Sequence, residues 1–510
     1  MLARLEIDRS VGFGILTRAW NVLALPVTLS LIGSRFTPEV QGFHFTFASL
    51  LALSVFAEMG LGTVIVQFAS HEWAHLGFDP AGGITGDPAA RARLAGLARI
   101  VFRWFGVASL LLTLLLVTGG GWFLRARGAG VDWSGPWTCL CLLTGVTVFL
   151  QPCWSLLEGC GQFPNVNTFR FFAGFAATIV TWAGIWTGLE LWAAPAGLAT
   201  GLAVGTGLLL ARYSRFLLSL ARPGRDDRCA VGATGAACCQ PGGPGETPDR
   251  GAAGPAAQHD AGRQQGTADP APPTPPTPPA AGGPGDASGG APAGPALSWR
   301  DELWPVQWRI AVSWVSGYFC FSLFTPVLFR FHGAAEAGRM GMTWSLINGL
   351  TSVANIWNAP QMPRFGGMIA RGEHAEVERL LGRMMRITTG VVVVGSGVLL
   401  AAVVGVNHLA LPVAERLLGP GATALFLGGV VLQAVTIPIS TCLRAFRTEP
   451  MMEVSVAAAV LVTLANLGLG IPHGAEGMGF GYLVVHLVIV PWVFRIRRRM
   501  MGVPAAGESR

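Results

Sequence analysis

The chain has 510 residues, of which 51% are hydrophobic and only 12% charged, and its mean hydropathy is +0.51. Soluble domains carry about 25% charged residues, so this composition argues against a water-soluble fold and for a membrane protein. Its 35 basic residues are all arginine, and the net charge of +7 is ordinary for a polytopic membrane protein with basic cytoplasmic loops; nucleic acid is not implied as a partner.

Apolar runs of about 20 residues predict about twelve membrane-spanning helices. In chain order the first block reads Val11–Gly33, Phe43–Val66, Ile100–Gly119, Trp137–Leu157, Val166–Leu189 and Trp192–Leu217. The second block reads Leu303–Leu328, Met340–Asn358, Ile387–His408, Ala422–Leu443, Met451–Leu469 and Gly477–Phe494. The first run is too long for a signal-peptide core and no small-residue cleavage site follows it, so it is expected to stay as a membrane helix.

Between the blocks, about Pro223 to Ser298, the chain is built from Gly, Pro, Ala, Thr and Asp, with runs such as Pro275-Pro276-Thr277-Pro278-Pro279. That stretch has too little apolar surface to offset chain entropy and predicts a disordered linker. The expected organisation is all-α and polytopic: a six-helix lobe over 1–220, a linker over 221–300, a second six-helix lobe over 301–500 and a short tail over 501–510.

Arginines give an orientation. The larger set, including Arg4, Arg9, Arg91, Arg93, Arg212, Arg215, Arg379, Arg383 and the run Arg497-Arg498-Arg499, flanks one side. Arg35, Arg125, Arg127, Arg330, Arg339 and Arg416 flank the other. The positive-inside rule then puts both termini in the cytoplasm, as an even number of spans also requires. Of the 9 cysteines, Cys139, Cys141, Cys153, Cys320 and Cys442 fall in apolar spans and Cys229, Cys238 and Cys239 in the linker, without the spacing of a disulfide framework or a zinc site.

The two halves share a faint pattern. Arg35-Phe36 followed by Glu39 and Gly42 resembles Arg330-Phe331 followed by Glu336 and Gly338, each between the first and second spans of its half. Both halves start on the same side, so the duplication reads as a parallel repeat.

Polar residues inside the spans are the candidate site. Arg18 in the first span and Arg309 in the seventh each put an ionised side chain where insertion costs a few kcal/mol, which marks functional positions. Arg18, Asn21, Leu25 and Thr28 follow helical spacing, as do Arg309, Ser313, Ser316 and Cys320. The fourth span offers Thr144, Thr147, Gln151 and Glu158, the eighth Asn348, Thr351, Asn355 and Asn358, and the tenth Gln433, Thr436, Ser440 and Arg444. Lipid cannot satisfy these groups, so they face other helices or a wet cavity. The plain alternative is helix-to-helix hydrogen bonding, and for Arg309 snorkelling to the interface. Glu58, in the second span, reads either as a structural partner of Arg18 or as a site for a coupling cation or proton. No serine elbow, His-Glu-x-x-His run or P-loop is present, so neither enzymatic catalysis nor a cofactor or metal is expected.

Two segments carry a family resemblance: FTPEVQGFHFTFASLLALSVFAEMGLGTVIVQFASHEW from Phe36 to Trp73, and WPVQWRIAVSWVSGYF from Trp304 to Phe319. They resemble bacterial polysaccharide and lipopolysaccharide export proteins, the Wzx-like flippases of the multidrug/oligosaccharidyl-lipid/polysaccharide exporter (MOP) superfamily. The resemblance implies two six-helix lobes around a central cavity, alternating access without ATP hydrolysis, and a polyprenyl-(pyro)phosphate-linked oligosaccharide as substrate. Arg18 and Arg309 are the positions that fit phosphate contacts, and Asn21, Gln151, Asn348 and Asn355 fit sugar contacts. The expected partners are that substrate, membrane lipid and a polysaccharide polymerase machinery. Two other functions stay open: a cation-coupled multidrug or metabolite antiporter of the same superfamily, and a non-transporting scaffold of a polysaccharide assembly complex.

Overall fold

A computed structural model of the chain describes residues 9–79, 82–127, 130–221, 304–356, 358, 361–444 and 451–501. The expected linker and most of the C-terminal tail lie outside the described residues.

The first half contains α1 (Arg9–Arg35), α2 (Pro38–Glu58), α3 (Leu61–Trp73), α4 (Pro88–Arg125), α5 (Ser134–Gly159), α6 (Phe163–Trp186) and α7 (Ala193–Ala221). The second contains α8 (Trp304–Phe321), α9 (Phe324–Phe331), α10 (Ala334–Asn355), α11 (Met362–Ala370), α12 (His374–His408), α13 (Pro420–Arg444), α14 (Met452–Gly468) and α15 (Gly470–Met501). A short antiparallel hairpin of β1 (Leu76–Phe78) and β2 (Ile84–Gly86) joins α3 to α4. The fold is all-α and polytopic, with twelve helical passes in two lobes, each pass falling on one of the expected apolar runs.

Among the described residues, eight helices are long and apolar enough to cross a membrane, or nine if the bent pair α8 and α9 counts as one span. Of the other passes, α10 is interrupted by Glu336, Arg339 and a stripe of Asn and Ser, and α14 has only 17 residues.

Local signals explain several helix starts. Thr37 caps α2 by accepting from the Val40 amide, and Pro38 follows in the first helical position. Asp87 does the same for α4, accepting from the amides of Ala89 and Ala90 ahead of Pro88. Some helices also reach well past their apolar runs. The α12 helix starts at His374, and its first turns pair Arg379 with Glu376 and Glu378 with Arg497 of α15.

Within each lobe the helices pack through aromatic and small residues. In the first, Trp20 of α1 packs at a tilt against Phe175 and Trp182 of α6 at 4.6 and 5.8 Å, and the Trp182 indole donates to the Thr28 hydroxyl at 2.8 Å. In the second, Phe324, Trp344, Phe426 and Tyr482 form a buried edge-to-face cluster with centroids 5.0 to 5.8 Å apart.

The second pass of each half is broken. Between α2 and α3, Met59 and Gly60 both adopt left-handed backbone, with φ of 44° and 71°. The corresponding pass of the second half ends α10 at Asn355 and resumes as α11 at Met362. A break at membrane depth frees carbonyls that lipid cannot satisfy, so side chains must supply the donors. The Trp104 indole of α4 donates to the Ala57 carbonyl at 3.1 Å, and the Gln307 amide of α8 donates to the Met59 carbonyl at 2.5 Å.

Candidate functional site: a polar pocket between the lobes

The lobes meet along α2, at both of its ends. Near its start, Gly42 and Gly338 face one another: a Cβ on Gly42 would lie 1.9 Å from the Ala334 carbonyl oxygen, and one on Gly338 would lie 3.2 Å from that of Pro38. Gly341 is pressed against Phe45 in the same way, at 2.2 Å. Pro38 and Ala334 each open the second pass of their half, and each glycine stands four residues later. The contact is therefore reciprocal, as a duplicated pair of lobes related by a local two-fold would make it. The fully buried Gln41 side chain locks the seam, its amide donating to the carbonyls of Gly338 at 2.9 Å and Arg416 at 3.1 Å.

At the other end of α2, Gly60 lies against Ile310 and Trp314 of α8, Phe56 meets Tyr318 edge-on at 5.7 Å, and Gln307 reaches the Met59 carbonyl. Seventeen residues of helix between these contacts correspond to about 25 Å.

Beside this seam, α1 of the first lobe and α10 of the second enclose a pocket of about 550 Å³. Its polar lining is Asn21, Ser345, Asn348, Ser352 and Asn355; Val22, Leu25, Gly349 and Ile356 complete it. The α10 contributors recur at helical spacing on one face. Gly349 lets the two helices approach, since a Cβ there would lie 2.4 Å from Leu25. The Ser345 and Ser352 hydroxyls donate to the carbonyls of Gly341 and Asn348, both at 2.7 Å, which leaves their oxygen lone pairs for a ligand. Asn355 is held from behind: its side-chain oxygen accepts from the buried Asn358 at 3.3 Å, and Asn358 bonds in turn to Thr388 of α12 at 3.2 Å. That leaves the Asn355 NH₂ as the free donor. No carboxylate or guanidinium is among the described lining residues.

Of the sequence-predicted site residues, the structure brings Asn21, Asn348 and Asn355 into this one pocket. Arg18 stands one turn before Asn21 on α1, and its side chain lies outside the described residues. Arg309 is exposed on α8, its guanidinium 5.5 Å from the ring centroid of Trp308, outside the lining. Gln151 is half-buried on α5 and also outside it. Glu58 is the last residue before the α2 break, half-buried, and forms no ion pair among the described residues. Ser345 and Ser352 were not singled out by sequence; the spacing of 345, 348, 352 and 355 was the available signal, obscured by Thr351 and Asn358 on a neighbouring stripe.

No family model and no curated protein sequence matches this chain. Solved structures do. The lipid II flippase MurJ in an inward closed conformation is similar with a TM-score of 0.55 at 10% identity, over 96% of this chain and 87% of that one. An inward-facing multidrug resistance MATE family transporter of the MOP superfamily gives 0.57 at 12% identity, over 95% and 96%. A MOP superfamily transporter from Pyrococcus furiosus, described as having a binding pocket of reversed polarity, gives 0.50 at 12% identity, over 98% and 95%. Identities this low speak to architecture alone, and the chain has the two-lobed, twelve-helix fold of MOP superfamily transporters.

Proposed function

We propose that the protein is an alternating-access flippase in the bacterial inner membrane. Its substrate would be a polyprenyl-(pyro)phosphate-linked oligosaccharide, moved outward for surface polysaccharide assembly. The observation that carries this reading is the chemistry of the pocket between α1 and α10. Among the described residues, five neutral amides and hydroxyls line it and no carboxylate does. Amides that both donate and accept, beside hydroxyl oxygens that accept, match the hydroxyl and acylamino groups of a sugar. A cationic drug would ask for an acidic partner in the same place.

The pyrophosphate is assigned to Arg18, one helical turn from Asn21, where a planar guanidinium stays charged at any working pH and can fork two phosphate oxygens. Substrate contact by Arg309 and Gln151 belongs to a different arrangement of the lobes. The neighbouring fold of a protein named as a lipid II flippase supports a lipid-linked substrate for this architecture.

The test is reconstitution. Proteoliposomes should move a fluorescent undecaprenyl-pyrophosphate-linked oligosaccharide between leaflets, and Asn348→Ala with Asn355→Ala should slow that movement about tenfold or more, the equivalent of one or two lost hydrogen bonds. Export of an organic cation driven by a sodium or proton gradient, without movement of the lipid-linked sugar, would overturn the reading in favour of the antiporter.

A further inference from the structure

At the end of the molecule where Gln41 locks the seam, a second cavity of about 270 Å³ lies across the lobes. It is lined by Trp122, Phe123, Arg125 and Ala126 from the end of α4 and by Arg330 from the end of α9. Arg127, just beyond α4, donates to the backbone carbonyls of Arg330 and Phe331 at 3.4 and 3.3 Å. Phe123 stacks on Phe329 at 5.8 Å. These contacts draw the tip of α4 onto the tip of α9 and set Arg125 and Arg330 around one cavity.

Neither Arg125 nor Arg330 has a carboxylate partner among the described residues. Some other arginines of this chain do: Arg93 pairs with Glu72, Arg170 with Glu158, Arg339 with Glu336 and Arg371 with Glu373. Both unpaired arginines sit in the last turn of a helix, where the negative end of the macrodipole favours a cation. That makes the two charges tolerable singly. It does not explain why exposed arginines from opposite lobes line one cavity, where like charges repel unless an anion lies between them.

We propose that this cavity is an anion site for a phosphate group, held by forked hydrogen bonds from Arg125 of one lobe and Arg330 of the other, with the exposed Trp122 indole as its rim. A tetrahedral phosphate accepts guanidinium forks from two directions at once, which suits two arginines brought together from separate elements. The phosphate has two possible sources: a lipid headgroup, for which Trp122 is placed as an interfacial anchor, or a free phosphate compound. In either case the bound anion ties the lobes together at this end. The site is separate from the pocket of the proposed transport function and does not rest on it.

The test uses the full chain in nanodiscs, with two probes: phosphatidylglycerol against a phosphatidylcholine background, counted by native mass spectrometry, and inorganic pyrophosphate in pure phosphatidylcholine discs, read by the unfolding midpoint. Wild type should retain phosphatidylglycerol, or be shifted by pyrophosphate, with at least tenfold higher affinity than the Arg125→Gln, Arg330→Gln double variant. Each single variant should lose most of that difference, since both lobes contribute. A response to the lipid alone identifies a headgroup, and a response to pyrophosphate alone identifies a free phosphate. If the glutamine variant does not fold, Arg125→Lys, Arg330→Lys should keep the charge and bind several-fold more weakly than wild type. Equal binding by wild type and variants, or no binding of either probe by wild type, would overturn the proposal.

Discussion

The residues lining the pocket are positioned by neighbours outside it. Asn355 has its oxygen engaged by Asn358, whose amide is fixed by Thr388 on another helix. Asn358→Ala should release Asn355 to rotate and also leave the buried Thr388 hydroxyl without its partner. Transport in proteoliposomes is expected to fall about tenfold, while the folded protein loses about 1 to 2 kcal/mol, measured by thermal unfolding in detergent. Unchanged transport would mean that Asn355 keeps its orientation without Asn358. Arg18 makes a sharper residue-level case under the proposed function. Arg18→Lys keeps the charge and loses the fork, so partial activity is expected, whereas Arg18→Ala should abolish transport with membrane levels intact on immunoblots. Normal transport by Arg18→Ala would remove the phosphate role from this position.

At the scale of elements, sequence and structure part company at the breaks. Apolar length located every pass, because burying the backbone in lipid demands a continuous helix of about 20 residues wherever nothing else supplies hydrogen bonds. It did not reveal that α2 stops at Glu58 or that α8 bends into α9. Gly60 inside an apolar run reads as an ordinary small residue. What permits the break is Trp104 and Gln307, donors that lie 47 and 248 residues from their acceptors in sequence. The site was legible to the same degree. Asn21, Asn348 and Asn355 could be picked by polarity and helical spacing, but which polar stripes share a cavity is decided by how α1 packs on α10. Gly60 also tests the break. Gly60→Ala would place a Cβ 2.5 Å from the Ile310 methyl in backbone that alanine rarely adopts. Either α8 must move or the break must straighten, and a stability loss of about 1 to 3 kcal/mol is expected from the thermal midpoint, with Gln307→Ala costing a similar amount by orphaning the Met59 carbonyl.

Among the described residues two lobes meet at both ends of α2, and these two contacts differ in kind. At the α8 end the contact is side chain to backbone, through Gln307, Phe56 and Gly60, and it can part by rotating a few side chains. At the α10 end the backbones themselves meet, Gly42 against Ala334 and Gly338 against Gly42 and Pro38, with the Gln41 and Phe45 side chains packed beside them. Under the proposed function an alternating-access cycle must open each contact in turn, so the glycine seam would be the surface that separates when the pocket faces the other side of the membrane. Enlarging one glycine should therefore bias the cycle and leave each lobe intact. Gly338→Leu puts a branched side chain where Gly42 and Pro38 now stand within 3.2 Å, which excludes the closed seam. The expected result is a protein that inserts and purifies like wild type, in which a cysteine-reactive probe labels Gln41→Cys readily, although Gln41 is 1% exposed in the closed seam. Net flipping should fall by at least tenfold, because the lobes can no longer return to the sealed state. If the probe labels that cysteine equally slowly with Gly338 and with leucine there, or if flipping continues at the wild-type rate, then the seam is not the gate and α2 and α10 move as one body.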